Sequence, residues 1–192
     1  MSVSLKKAVL NRFNARSLHI VAILILIFSG FSNEVSAQDS EKTFTLYLVR
    51  HAEKELSADD PKDPPLTECG EQRAESLAYF LASVDLDAVY STDYLRTRST
   101  AQPVARDKKL EIQIYDPKGM EDFAKVLIEQ KQEALVVGHS NSTPNLAGLL
   151  LKQEVEPIDE SIYDRIYQLV FYQDRGQLQL LHSTFVCNLA EE

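Results

Sequence analysis

Three short stretches of the sequence place histidine or arginine directly after an apolar run. Arg50 and His51 follow the run TFTLYLV, Arg96 and Arg98 follow VYSTDYL, and His139 follows EALVVG. A neutral imidazole can attack phosphorus, and a guanidinium group can bind two phosphate oxygens at once. Two histidines with two or three arginines would therefore form a pocket for a dianionic phosphoryl group, with a histidine as nucleophile.

The stretch VVGHSNSTP also allows a different nucleophile, a serine. The nucleophile elbow of serine hydrolases has the pattern G-x-S-x-G, in which both glycines permit a strained turn from strand to helix. Gly138 and Ser140 fit this pattern, but Ser142 occupies the position of the second glycine. His182 is the only histidine downstream of Ser140. The pattern therefore favours a working histidine over a serine hydrolase.

The periodicity of apolar residues predicts alternating strands and helices. Strands are predicted in TFTLYLVRH, LDAVYSTD, LEIQIYDP and EALVVGH, and helices in LTECGEQRAESLAYFLASV, YLRTRSTAQPVARD, MEDFAKVLIEQK and TPNLAGLLLKQ. A closing hairpin is predicted next, with its turn at Asp174-Arg175-Gly176. This order predicts a three-layer α/β fold with a mostly parallel central sheet flanked by helices. Because ligands of such sheets bind beyond the carboxyl ends of the strands, the three stretches should converge at one edge.

The first 37 residues differ from the rest of the chain. Four basic residues and no acid precede the apolar residues 18–31, and a small-x-small site follows at Val35-Ser36-Ala37. The uninterrupted apolar core, residues 20–28, is short for a spanning helix, which needs about 20 residues. The pattern predicts a signal peptide over 1–37, cleavage after Ala37, one domain over 38–192 and export to the periplasm or medium. An uncleaved anchor is the alternative.

Composition and charge restrict the partners of the chain. The formal net charge is −9 at pH 7, and the 44% of hydrophobic residues is typical of globular proteins. A nucleic acid partner or lasting membrane association after signal cleavage is therefore not expected. An anionic substrate would need arginines concentrated at its site. Cys69 and Cys187 could form one disulfide in an oxidising compartment, or they could be two buried small residues.

The stretches LVRHAEK, PPLTECGEQRAESLAYFL, VYSTDYLRTRSTAQPVA and VVGHSNSTPNL together resemble the histidine phosphatase superfamily, with its phosphoglycerate-mutase-like fold. The resemblance implies that His51 is phosphorylated and that Arg50, Arg96 and His139 surround the phosphoryl group. It implies that Arg98 points outward. The implied reaction has two steps, phosphoryl transfer to His51 and hydrolysis of the phosphohistidine. The implied partner is a small phosphorylated substrate, and no metal or cofactor is implied.

The chain departs from this family in its general acid. Many members carry a glutamate after the third strand, in an L-x-E stretch with an insertion that this chain lacks. Glu121 and Glu53 are the candidate proton donors, and both assignments stay open. Asn141 is expected either to cap the following helix or to bind the phosphoryl group. The short chain resembles open-site members that act on phosphomonoesters or phosphoamidates; a catalytically idle member that binds a phosphorylated ligand is the alternative.

Overall fold

The structure is a computed structural model that describes residues 43–173 and 175–187. The predicted signal peptide lies outside these residues. The strands are β1 (Phe44–Arg50), β2 (Ala88–Ser91), β3 (Ile112–Ile114), β4 (Ala134–Gly138), β5 (Arg165–Tyr172) and β6 (Arg175–His182). The helices are α1 (Glu68–Phe80), α2 (Leu95–Lys108), α3 (Met120–Gln130) and α4 (Ser142–Leu151). The predicted alternation of strands and helices followed by a hairpin is confirmed.

The six strands form one sheet in the order β3-β2-β4-β1-β5-β6. The first four strands are parallel, whereas β5 pairs antiparallel with β1, and β6 pairs antiparallel with β5. This confirms the predicted α/β class with a mostly parallel sheet. The predicted turn is wrong by about one residue, because Arg175 pairs with Tyr172 and both Arg175 and Gly176 belong to β6.

Each face of the sheet packs against its own pair of helices. Leu46 and Leu48 of β1 pack in a cluster with α3 and α4, and Tyr47 and Val49 pack in a second cluster with α1 and α2. Successive side chains of a strand point to opposite faces, so a continuously apolar strand supplies both clusters. Full burial of one such side chain stabilises the fold by about 1.5–3 kcal/mol. This core fixes the strand ends that carry the polar stretches.

The segment that follows β1 is held by α1 and α2. Thr67 caps α1 by accepting a hydrogen bond from the backbone N–H of Gly70 at 3.0 Å. A Cβ atom on Gly70 would lie 2.3 Å from the carbonyl oxygen of Glu53, so only glycine allows this close approach. On the α2 side, Thr100 Oγ1 accepts a hydrogen bond from the backbone N–H of Ala52 at 2.9 Å. The two helices therefore fix the backbone directly after His51.

A disulfide joins Cys69 at the start of α1 to Cys187 near the end of the described chain, and their Cα atoms are 5.5 Å apart. Of the two interpretations left open by the sequence, the structure shows the disulfide. The bond closes a sequence separation of 118 residues. Beside it, the guanidinium of Arg73 lies 4.9 Å from the ring centroid of Phe185. The C-terminal segment is thus attached to the outer side of α1.

Candidate active site

β1 and β4 end side by side, and this brings His51 and His139 together. Arg50 is paired with Gly138 in the register of the two strands, and the backbone N–H of His51 donates to the Gly138 carbonyl at 2.9 Å. His51 directly follows Arg50 in the sequence, and His139 directly follows Gly138. The centroids of the two imidazole rings are 5.5 Å apart, with the ring planes 70° from parallel. The predicted convergence at the carboxyl edge of the sheet is present.

The surroundings of His51 keep its imidazole ring neutral. Its Nδ1 lies 2.7 Å from the carbonyl oxygen of Ala52, and because a carbonyl only accepts, Nδ1 must carry the proton. Nε2 is then left with its lone pair. Burial lowers the pKa of His51 to about 3, and the positive charge of Arg50 acts in the same direction, against the hydrogen bond to Ala52. At neutral pH the ring is therefore uncharged and able to attack phosphorus.

His139 is oriented by a chain of hydroxyl groups. Its Nε2 lies 3.0 Å from Thr92 Oγ1, which lies 3.0 Å from Thr97 Oγ1. The ring also makes an edge contact with Tyr94, with centroids 5.2 Å apart. Burial lowers the pKa of His139 to about 4, and the charge of Arg96 is the next cause. Both imidazoles of the site are thus neutral at pH 7, and both face arginine charges.

Arg50 is buried and fixed by the segment that precedes β5. Its Nη1 donates to the carbonyl oxygens of Asp159, Glu160 and Ile162 at 3.4, 2.7 and 3.0 Å, respectively. Its Nη2 donates to the Glu160 carboxylate at 2.6 Å, and the guanidinium lies 4.1 Å from the ring centroid of Tyr163. The buried Nε has no hydrogen-bond partner among the described residues. The sequence predicted that an arginine binds two phosphate oxygens at once. In Arg50 both Nη atoms are bound within the protein, so Nε is the donor that is left.

Arg96 is the second arginine of the site and is held more loosely. Its Nη1 donates to the carbonyl oxygen of Lys62 at 3.3 Å and lies 3.7 Å from the Asp63 carboxylate. The guanidinium lies 4.5 Å from the ring centroid of Tyr94. Asp63 also accepts a hydrogen bond from the backbone N–H of Leu95 at 2.7 Å, so it fixes the start of α2. The buried Nε of Arg96 again has no partner within the described parts of the chain.

A single cleft of about 630 Å³ joins most of these groups. His51, Arg96 and His139 line it, whereas Arg50 lies beneath its wall with a side chain that is 2% exposed. The lining also includes Lys54, Tyr94, Lys118, Ser140, Asn141 and Glu160. A cluster of positive charge thus exists in a chain whose net charge is −9. The arrangement can bind an anion next to a neutral imidazole.

The two proton donors predicted from the sequence do not line the cleft. Both oxygens of Glu53 are bound by Arg73, whose Nη2 lies 2.6 Å from Oε1 and whose Nε lies 2.9 Å from each oxygen. Glu121 is exposed in the first turn of α3, and its neighbour Met120 lines the cleft instead. The structure thus brings neither predicted donor to the cleft, because an ion pair holds Glu53 and the start of α3 leaves Glu121 in solvent.

A carboxylate that the sequence did not reveal does reach the site. Glu160 lines the cleft, and its two oxygens accept hydrogen bonds from Arg50 and from the hydroxyl of Ser140. It is 110 residues from Arg50 in sequence and lies in an irregular segment between α4 and β5. No periodicity or motif marks such a residue. Only folding of this segment over Arg50 brings the carboxylate to the cleft.

The structure separates the alternatives that the sequence left open for the residues after His139. Ser140 donates its hydroxyl to Glu160, and the described structure shows no hydrogen bond between Ser140 and a histidine, as a serine nucleophile would need. Asn141 lines the cleft at the position before α4, without a side-chain capping bond. Ser142 Oγ instead accepts the backbone N–H of His139 at 2.8 Å. Asn141 is thus free of the capping role and faces the cleft.

The remaining predictions concern outward residues, metals and membranes. Arg98 pairs with the exposed Asp93, which agrees with its expected outward position. Within residues 43–173 and 175–187, no group of three or more histidine, cysteine or acidic side chains is placed to hold a metal ion. None of the helices in the same residues is long and apolar enough to cross a membrane.

Comparison with known protein families found one match. Residues 46–117, which include Arg50, His51 and Arg96, match the sequence profile of the "Histidine phosphatase superfamily (branch 1)". The match spans less than half of the chain and leaves out His139 and Glu160.

Proteins similar in sequence include phosphoserine phosphatase 1 of Hydrogenobacter thermophilus, which is 41% identical over 71 residues, or 35% of this chain and 34% of that protein. The fructose-2,6-bisphosphatase TIGAR of Xenopus laevis is 34% identical over 83 residues, or 39% of this chain and 30% of that protein. The chain thus matches only about a third of the length of these two curated relatives.

Solved structures share the fold over most of the described chain. The protein histidine phosphatase SixA complexed with tungstate superposes with a TM-score of 0.62 at 18% identity, covering 73% of this chain and 97% of SixA. The alpha-ribazole phosphatase of Shigella flexneri superposes with a TM-score of 0.59 at 18% identity, covering 76% of this chain and all (100%) of that protein. At these identities the superpositions establish the shared architecture.

Proposed function

We propose that the chain is a phosphatase that hydrolyses phosphomonoesters or phosphoamidates through a phosphohistidine on His51. The observation that carries this proposal is the neutral His51, with Nδ1 bound to a carbonyl and Nε2 unpaired, in a cleft that Arg96 and His139 also line. The match of residues 46–117 to the histidine phosphatase superfamily and the phosphatases among the similar proteins support the same activity.

In the first step Nε2 of His51 attacks the phosphorus atom of the bound substrate. A bond forms between Nε2 and phosphorus, and the bond from phosphorus to the ester oxygen or amide nitrogen breaks. The departing group leaves with that electron pair and takes up a proton from solvent. Nδ1 keeps its proton, and the hydrogen bond from Nδ1 to the Ala52 carbonyl stabilises the positive charge that develops on the ring. Arg96 supplies positive charge and donors to the phosphoryl oxygens, and Arg50 adds positive charge from beneath the cleft wall.

In the second step water attacks the phosphohistidine. A bond forms between the water oxygen and phosphorus, the bond from phosphorus to Nε2 breaks, and its electron pair restores the neutral imidazole. Catalysis in both steps comes mainly from positioning and charge stabilisation, as in other phosphoryl transfers. Since Arg96 can bind the phosphoryl oxygens and Arg50 adds positive charge beneath them, the scheme requires no metal or organic cofactor.

The open cleft favours small phosphorylated substrates. It has a volume of about 630 Å³ and is bordered by Lys54, Lys118 and Asn141, which can contact the group that leaves. The relatives are named for phosphoserine and fructose-2,6-bisphosphate, both small phosphorylated compounds. Asn141 is proposed as a substrate-binding residue, because its amide lies at the cleft and makes no capping bond.

Hydrolysis of p-nitrophenyl phosphate by the full chain tests this function. We expect turnover in the native protein and a loss of about a thousandfold or more in His51→Ala. His182→Ala is the matched control, because His182 is half exposed at the end of β6, where it pairs with Asp164. An inactive native protein that still binds vanadate would instead support the catalytically idle alternative.

We also propose that residues 1–37 are a cleaved signal peptide and that the enzyme works in the periplasm or medium. The disulfide between Cys69 and Cys187 supports an oxidising compartment. Mass spectrometry of the protein recovered from cell fractions tests this directly. An N-terminus at Gln38 in an exported fraction is the expected result, and an intact N-terminus in the membrane fraction would favour the uncleaved anchor.

A further inference from the structure

Phosphoryl transfer to His51 leaves one acidic side chain of the cleft unused, that of Glu160. One of its carboxylate oxygens accepts from Arg50 Nη2 at 2.6 Å, and the other accepts from the Ser140 hydroxyl. Arg50 directly precedes His51, and Ser140 directly follows His139. The carboxylate therefore bridges the neighbours of the two histidines.

A carboxylate in this position is unfavourable for binding a phosphate ester. Like charges repel, and the substrate brings a phosphoryl dianion into the same cleft. The fold nevertheless fixes Glu160 there through Arg50 and Ser140. Its side chain remains 73% exposed, so a water molecule in the cleft can reach it. A carboxylate that weakens substrate binding but is accessible to water in the cleft is better suited to a proton-transfer step.

We propose that Glu160 is the general base of the second step, which rests on the proposed function. Glu160 takes a proton from the attacking water as the water oxygen bonds to phosphorus. The bond from phosphorus to Nε2 breaks and its electron pair returns to the imidazole. The products are hydrogen phosphate, neutral His51 and a protonated Glu160, which then releases its proton to solvent.

The contacts of Glu160 favour a base over an acid. Both oxygens accept hydrogen bonds from donors, one neutral and one charged, and such donors stabilise the ionised carboxylate. The hydrogen bond from Ser140 lowers the pKa of Glu160, and the charges of Arg50 and Lys54 act in the same direction. Glu160 therefore begins each turnover deprotonated. A deprotonated carboxylate can accept the proton of water but cannot protonate a leaving group.

Rapid mixing of the full chain with p-nitrophenyl phosphate separates the two steps. Release of p-nitrophenolate reports phosphorylation of His51, and the acid-labile phosphate retained on the protein reports the intermediate. In Glu160→Gln we expect the phosphorylation rate to stay within about threefold of the native rate. We expect dephosphorylation to slow by about a hundredfold, so that nearly every site carries phosphate at steady state.

A second variant distinguishes the loss of a base from misfolding and from an indirect effect through Arg50. In Glu160→Ala, added formate should restore dephosphorylation, because a small carboxylate can replace the missing base but cannot replace a lost fold. Glu156→Gln is the matched control, since Glu156 is an exposed acid of the same segment and lies outside the lining of the cleft. We expect this control to behave as the native protein in both steps.

Three outcomes would overturn the assignment. Slower phosphorylation with unchanged dephosphorylation in Glu160→Gln would make Glu160 a positioning residue for Arg50 or an acid of the first step. Unchanged rates in both steps would remove Glu160 from the mechanism. Loss of dephosphorylation without rescue by formate in Glu160→Ala would indicate a structural role. A native protein that never becomes phosphorylated would contradict the proposed function itself, which is a distinguishable result.

Discussion

The two arginines of the site have the same chemical group but are held in opposite ways. Arg50 is beneath the cleft wall, with a side chain 2% exposed and both Nη atoms bound to the segment before β5. Arg96 lines the cleft and makes one long hydrogen bond and one distant ion pair with an exposed loop. Arg50 therefore contributes to folding and to the electric field of the site, whereas Arg96 can give its donors to a ligand.

Replacement of Arg50 should have the largest effect. We expect Arg50→Met to reduce kcat/KM for p-nitrophenyl phosphate by about a thousandfold, because a donor and a charge beside His51 disappear. The free energy of unfolding should fall by about 2–3 kcal/mol, because three backbone carbonyls lose their donor. Urea unfolding and steady-state kinetics measure the two effects. An Arg50→Met variant that loses activity but keeps the native free energy of unfolding would contradict the claim that Arg50 stabilises the fold.

Replacement of Arg96 should separate activity from stability. We expect Arg96→Met to reduce kcat/KM by about a hundredfold and to lower the free energy of unfolding by less than about 1 kcal/mol, because its ion pair with Asp63 is weak. Arg98→Met is the control, since Arg98 pairs with Asp93 away from the cleft. Equal activity losses in the Arg96 and Arg98 variants would exclude a specific role for Arg96.

The smallest expected difference between the two arginines is in their effects on the pKa values of the two histidines. Arg50 is the arginine that lowers the pKa of His51 most, and Arg96 is the one that lowers the pKa of His139 most. We therefore expect Arg96→Met to raise the pKa of His139 more than that of His51, as measured by NMR titration. Both values should stay below 6.5, because burial is the larger cause for each ring.

The same pKa shifts give a pH dependence of stability. An unfolded chain binds protons at its histidines below about pH 6.5, whereas the folded rings stay neutral until about pH 4 for His139 and about 3 for His51. The contribution of the two neutral histidines to the free energy of unfolding should therefore be fully present above pH 6.5 and be lost as the pH falls below it. The loss from His51 should reach up to about 1.4 kcal/mol per pH unit. A flat urea midpoint from pH 7 to 5 would contradict the neutral histidines.

Much of the fold was predictable because it depends on local patterns. Apolar runs that end in Arg50, Ser91 and Gly138 predicted parallel strands, and the sequence spacing placed His51 and His139 after two of them. The positions after β1 and β4 are fixed by strand register alone. Each histidine directly follows a contiguous apolar strand, so its place at a strand end is visible in the sequence.

The position of Glu160 at the cleft was not predictable, because it depends on no local pattern. Glu160 lies in an irregular segment, and its relation to Arg50 depends on a path of 110 residues. Glu53 and Glu121 were nearer to recognisable motifs, but Arg73 holds the first and the exposed start of α3 carries the second. Proximity in sequence to a motif does not determine which carboxylate enters a cleft.

The sequence by itself determined the α/β class and the two histidines at strand ends, because short-range periodicity and residue type fix these, and its resemblance to the histidine phosphatase superfamily implied the outward position of Arg98. Only the tertiary structure decided that Cys69 pairs with Cys187, that Arg50 lies beneath the cleft with one donor left, and that Glu160 is the carboxylate of the site. Those features arise where segments far apart in the chain pack together, and the energy of such packing depends on the whole fold.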